Sequence, residues 1–96
     1  MAAKSSIGTS AVQLISTSTP VSYGVQIKAA AANASKVHVG FANTVTANAD
    51  DTTDGYELAA GQEVFIPVAH SGLNRDASNV WLIATGASQK VFYIPL

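Results

Sequence analysis

A small all-β fold, an antiparallel sandwich or barrel of about seven short strands, is what this sequence predicts, and three observations lead there. Apolar residues alternate with polar ones in short runs, the two-residue period of a strand with one buried side. Gly, Pro, Asn, Asp, Ser and Thr cluster between those runs at intervals of about 8 to 12 residues. Hydrophobic residues make up 48% of the 96, enough for one core without the help of disulfides, and the chain has no cysteine.

Residues 1–9 are small and polar, and only Ile7 among them is core-forming. They read as a flexible or extended arm ahead of a single domain over residues 10–96. Ala11 to Ile15 is a first strand, closed by the Ser16-Thr17-Ser18-Thr19-Pro20 breaker. From Val21 to Ala30 the alternation is clear: Tyr23, Val25, Ile27 and Ala29 share one face, Ser22, Gln26 and Lys28 the other. Ala29 to Ala32 is the one helix-like patch, because Ala has the highest helix propensity. It is a single turn long and stops at Asn33, so a strand end followed by a turn at Asn33-Ala34-Ser35 is the better reading. Lys36 to Phe41 returns as a strand with Val37, Val39 and Phe41 facing one way, making a hairpin with the strand before it.

Residues 42–55 form a long polar loop, Tyr56-Glu57-Leu58 resumes extended structure, and Ala60-Gly61 turns. Val64 to Val68 is a strand that Pro67, lacking a donor, assigns to a sheet edge. A second polar loop covers 69–78. Residues 79–85 form a strand, Gly86-Ala87-Ser88 a tight turn, and residues 89–94 the closing strand.

Charge narrows the function more than any motif does. Five basic and six acidic residues leave a net charge of −1, and Lys4, Lys28, Lys36, Arg75 and Lys90 stand singly. A nucleic acid or an anionic membrane surface needs clustered basic residues, so neither is expected as a partner. The uncharged stretch from Ser5 to Ile27 is interrupted by Gly8, Pro20 and Gly24 and is too polar to span a bilayer. No apolar block follows Met1-Ala2-Ala3-Lys4 as it would in a signal peptide, so the chain is expected to stay in the cell that makes it. Only 11% of residues are charged, against about 25% in an average domain. That surface suits a subunit pressed against neighbours. Val80-Trp81-Leu82-Ile83 and Val64-Phe65-Ile66 are apolar on both faces, so a loop or another subunit must cover the second one. Phe65, Trp81 and Ile83, with Ala2, Lys4 and Ile7 of the arm, are therefore the candidate contact residues, and self-association is expected.

No residues point to catalysis. His38 and His70 are the only histidines, and Ser71 and Asp76 near His70 lack the Gly-x-Ser-x-Gly elbow of a nucleophile. His38 falls on a solvent-side strand position, and both histidines read as surface residues. Asp50-Asp51-Thr52-Thr53-Asp54-Gly55 has the look of a calcium loop, but Thr52 and Gly61 occupy the third and twelfth positions of an EF-hand count from Asp50, where ligands belong. A solvated loop ending in a turn at Asp54-Gly55 is preferred to a cation site built from Asp50, Asp54 and Glu57. Trp81, Tyr56 and Tyr93 could stack on a sugar, but aromatic residues at strand positions serve cores first. Phosphate loops, metal-spaced Cys/His sets and basic-aromatic motifs are absent, so no enzyme activity, cofactor or metal is expected.

Three segments carry a resemblance: Lys28-Ala-Ala-Ala-Ala-Asn-Ala-Ser-Lys36-Val-His-Val-Gly40; Thr44-Val45 followed by Asp54-Gly-Tyr-Glu-Leu-Ala-Ala-Gly-Gln-Glu-Val-Phe-Ile-Pro-Val68; and Asn79-Val-Trp-Leu-Ile-Ala84 with Val91 onward. Over roughly residues 10 to 95 they resemble a module of small structural proteins of tailed bacteriophages, of the capsid decoration or cement type. The motifs concern packing and turns, and the loop from Asn43 to Asp54 is longer than in the module. The resemblance implies a β-sandwich of jelly-roll-like kind, a place on the virion capsid surface after assembly in the bacterial host cytoplasm, and a major capsid protein as partner. Placement on local symmetry axes implies a homo-oligomer, a trimer first. It implies no catalytic residues. A tail or head-fibre component and a carbohydrate-binding module on the virion surface are the alternatives.

Overall fold

The alternating runs become strands, eight of them, in a computed structural model that describes residues 2–68 and 75–96. They are β1 (Ala2–Ile7), β2 (Val12–Gln13), β3 (Val25–Ala29), β4 (Val37–Gly40), β5 (Tyr56–Leu58), β6 (Glu63–Ile66), β7 (Trp81–Ala84) and β8 (Gln89–Pro95). A 3-10 turn, Ala77–Asn79, precedes β7. Two four-stranded antiparallel sheets result, in the orders β1-β8-β3-β6 and β2-β7-β4-β5.

The pairing has a simple logic. β1 with β8, β2 with β7, β3 with β6 and β4 with β5 are the partners of one long hairpin folded through β4 and β5. Rolling that hairpin adds the pairs β3–β8 and β4–β7 and closes two sheets over one core. This is a jelly roll, the double-sheet solution that leaves few strand edges open.

Register decides which side chains meet. In the first sheet Val25 lies between Pro95 and Ile66, and Ala29 lies opposite Val91, on the inner face. In the second, Leu58, Val37 and Ala84 form one inner row and Val39 and Leu82 belong to the next. Ile7, Val25, Ile27, Val37, Val80, Leu82 and Val91 are wholly buried in the cluster between the sheets. Each such side chain stabilises the fold by about 1.5–3 kcal/mol relative to exposure.

The flexible arm is corrected. Residues 2–7 are β1, paired with β8 from Ala2 opposite Tyr93 to Ile7 opposite Gln89. A strand ladder is made by the backbone and asks little of side chains, so polar, small residues suffice when an edge is waiting. The register shifts between Lys4 and Ile7, and Ser6 takes a φ of 59° there. That bulge delivers Ile7 into the core.

The hairpin of β3 with β4 is corrected too: the two strands lie in different sheets. Alternation tells which face is buried but not which strand is the neighbour. The turn between them comes earlier than Asn33-Ala34-Ser35: it runs from Ala30 to Asn33, with Asn33 N–H donating to Ala30 C=O at 3.1 Å, and residues 34–35 only bend. Asn33 also clasps β8: its Nδ2 donates to Lys90 C=O (2.8 Å) and its Oδ1 accepts from Lys90 N–H (2.9 Å). Phe41 and Tyr23 leave the faces assigned to them, falling outside their strands and standing 51% and 69% exposed. β6 is an edge strand, as Pro67 requires.

Candidate functional site

The two outer faces of the sandwich differ, and among the described residues only one has a cover. On the second sheet the outer positions are Trp81, Ile83, His38 and Gly40. Residues 42–55 fold back across β4. Val45 is buried against Gly40, where a Cβ would come within 2.7 Å of the Val45 Cβ, and Gly55 lies against His38. His38 is consequently buried, 3% exposed, and its placement on a solvent side is corrected. Nδ1 lies 3.4 Å from Gly55 C=O, and Nε2 has no hydrogen-bond partner among the described residues. The cover comes from a loop 17 residues away, which strand periodicity does not see.

Asp54 pins that loop. Its carboxylate accepts from Thr46 Oγ1 (2.9 Å), Ala49 N–H (2.7 Å) and Asp50 N–H (2.7 Å), with Asn48 and Asp50 at positive φ to aim the amides. These donors, the Ala49 amide foremost, hold its pKa below the usual carboxylate range. The carboxylate is thus committed to the loop, and among the described residues no three His, Asp or Glu side chains converge on a metal position. Glu57 pairs with Lys36, whose hydrogen bond lowers its pKa.

Asp76 makes a similar clamp elsewhere. It accepts from the Ser18 hydroxyl, Thr19 N–H (2.9 Å) and Ser78 N–H (2.8 Å), tying residues 18–19 to the 3-10 turn. The Ser18 hydroxyl is the largest cause of its strongly lowered pKa. His70 and Ser71, its weighed triad companions, lie outside the described residues.

The outer face of the first sheet is open. Phe65, Gln26 and Ile94 are direct cross-strand neighbours there, and Glu63, Lys28, Phe92 and Ala3 form the adjoining row. Phe65 is 41% and Ile94 39% exposed. Lys90 Nζ sits 5.8 Å from the Phe92 ring centroid, at the range of a cation–π contact. Phe65 lies over Gly24, where a Cβ would stand 2.8 Å from its Cζ. The result is two apolar spots, Phe92 with Ile94 on β8 and Phe65 on β6, separated by Gln26 and Lys28 of β3.

The expected contact residues therefore do not form one patch. Phe65 is on this open face, while Trp81 and Ile83 are half-buried on the opposite side of the molecule. Ala2 and Lys4 lie on edge strand β1, Lys4 opposite Val91, and Ile7 is wholly buried and offers a neighbour nothing. Phe92 and Ile94 were not anticipated, although Val91-Phe92-Tyr93-Ile94 is apolar on both faces just as residues 80–83 are. The aromatic trio also separates. Tyr56 shares its row with Val39 and Leu82, Trp81 projects from the other face of that sheet, and Tyr93 packs against the core from the first sheet.

A cleft of about 690 Å³ opens where edge strands β5 and β6 of the two sheets face each other. Val39, Val64 and Ile66 contribute its apolar lining, with Thr44 and Thr52 from the loop. Phe41 and Tyr56, 51% and 60% exposed, also line it. No helix among the described residues is long and apolar enough to cross a membrane. Compared with models of known families, with curated proteins and with solved structures, the chain matches none.

Proposed function

We propose that the chain is a structural subunit of a phage shell, of the decoration type its sequence resembles, seated on the major capsid protein through the outer face of β1-β8-β3-β6. The observation that carries this reading is the exposure of Phe65 and Ile94, with Phe92 beside them, on the outer face of one sheet of a molecule with few charges. Exposed apolar side chains grouped on one face favour burial against a partner. Repetition over many equivalent sites lets small contributions add.

The mechanism is mass action. A subunit that binds the assembled shell better than its free parts shifts the balance towards the shell. Contacts made of apolar area and hydrogen bonds resist salt, because screening acts on exposed charges. Particles lacking this protein should release their genome at a lower temperature than complete ones. Adding the purified protein back should restore the difference even in about 1 M salt, where the screening length is near 3 Å. Depleted particles that are equally heat-stable but fail to adsorb to cells would replace this reading with a surface-binding module.

A further inference from the structure

We propose that the cleft between β5 and β6 is a binding site for a neutral saccharide, a role separate from the attachment face and independent of it. The chemistry of the lining selects the ligand class. Phe41 and Tyr56 supply two exposed aromatic rings at one opening. The negative π face of such a ring attracts the polarised C–H face of a sugar, as it attracts the edge of another ring. Thr44 and Thr52, both exposed, add hydroxyl groups that donate and accept. Among the described residues Asp54 is the one charged residue in the lining, and its carboxylate oxygens already accept from Thr46 and two loop amides. An anionic ligand therefore meets no opposite charge and a cationic one only a carboxylate whose acceptor positions are taken by the loop, while an uncharged ring with hydroxyls finds both kinds of partner. The volume, about 690 Å³, falls in the range of small-ligand sites.

An added peptide strand is the rival occupant, and the edges argue against it. β5 is three residues long. β6 begins with the charged Glu63 and runs into Pro67, which lacks a donor, so neither edge is a good template for strand addition. The cleft lies beside the loop that Asp54 holds, so the rings and hydroxyls are presented on a braced frame.

A residue-resolved ¹H–¹⁵N NMR titration of the whole free chain tests this. Maltohexaose and fully N-acetylated chitotetraose serve as neutral probes, polygalacturonate as the acidic one, and a capped alternating Val-Thr hexapeptide as the strand. The expected result is that a neutral oligosaccharide shifts amides of residues 40–45 and 52–56 with millimolar or better affinity. Tyr56→Ala and Phe41→Ala should each weaken it about tenfold, roughly the energy of one lost aromatic contact. Tyr56→Leu, which keeps apolar bulk on β5, should weaken it as much. The proposal is overturned if no oligosaccharide shifts these amides at about 10 mM, if the ring substitutions have no effect, or if only polygalacturonate or the hexapeptide binds there. Because the titration needs no particle, its failure leaves the shell reading untouched.

Discussion

Two carboxylates, Asp54 and Asp76, do at single positions what longer elements do elsewhere: Asp54 gathers donors from within its own loop, Asp76 from two segments far apart in the chain, and each holds a loop in place. Their pKa values are lowered in the fold, so the sign of their pH dependence is fixed. A group depressed in the folded state contributes stability above its unfolded value, near 4 for Asp, and loses it as acid protonates the native form. The chain should therefore weaken progressively below about pH 4. Asp76→Asn should be less stable at neutral pH and show a shallower loss between about pH 4 and pH 2, measured by urea unfolding at each pH. A variant with an unchanged acid slope would show that Asp76 is not a principal acid-sensitive group. Asp76 stood in the sequence only as a loop residue near His70; in the fold it caps the Ala77–Asn79 turn. Its partners Ser18 and Thr19 could not be read either, being 58 and 57 residues away. His38 was misplaced for the same reason, because what buries it arrives from a distant stretch of chain.

At the level of elements, the sequence told strand from loop well and told neighbour from neighbour poorly. Val25–Ala29 and Val37–Gly40 were visible as strands in their β-branched and alternating residues, and so was a turn between them, though it ends at Asn33 instead of starting there. That the pair parts into separate sheets was not, because residues 30–36 can close a hairpin or cross a sandwich equally well. β1 was hidden by its composition, and its contribution is testable. Deleting residues 2–7 removes Ile7 from the core and uncovers the edge of β8, so unfolding should become easier by about 1.5–3 kcal/mol from the isoleucine alone. A truncated protein with an unchanged denaturation midpoint would return β1 to the status of an arm. The loop over β4 is the second test. A Cβ at Gly40 collides with Val45, so Gly40→Ala should lift residues 42–55 at a cost of about 1–3 kcal/mol. Faster hydrogen exchange at the Ala49 and Asp50 amides, ahead of the core strands, is the expected signature.

For the molecule as a whole, the fold class was readable because a two-residue period needs a sheet and an uncapped sheet needs a second layer. The open face was half readable: Phe65 announced it, while Phe92 and Ile94 carried the same signal on β8 and join Phe65 only through β3. If the chain self-associates as its sequence leads one to expect, sedimentation at micromolar concentration should show an oligomer, a trimer first, while Phe65→Asp with Ile94→Asp should abolish the docking on the shell proposed for that face. A wild-type chain that stays monomeric at high concentration would remove self-association from the reading. The rolled hairpin has one more consequence. Because Ala2 stands opposite Tyr93, the chain enters and leaves the jelly roll at the same end of the first sheet. The two ends can then be spliced by a linker of about five residues, the length of an ordinary hairpin loop. The exposed turn at Ala60-Gly61, where Gly61 has a φ of 82° and open space beside it, can be cut to supply new ends. Such a circular permutant keeps every strand pair of both sheets, and a cargo fused at the new opening would project beside β5 and β6 while the outer face of the first sheet stays free to dock.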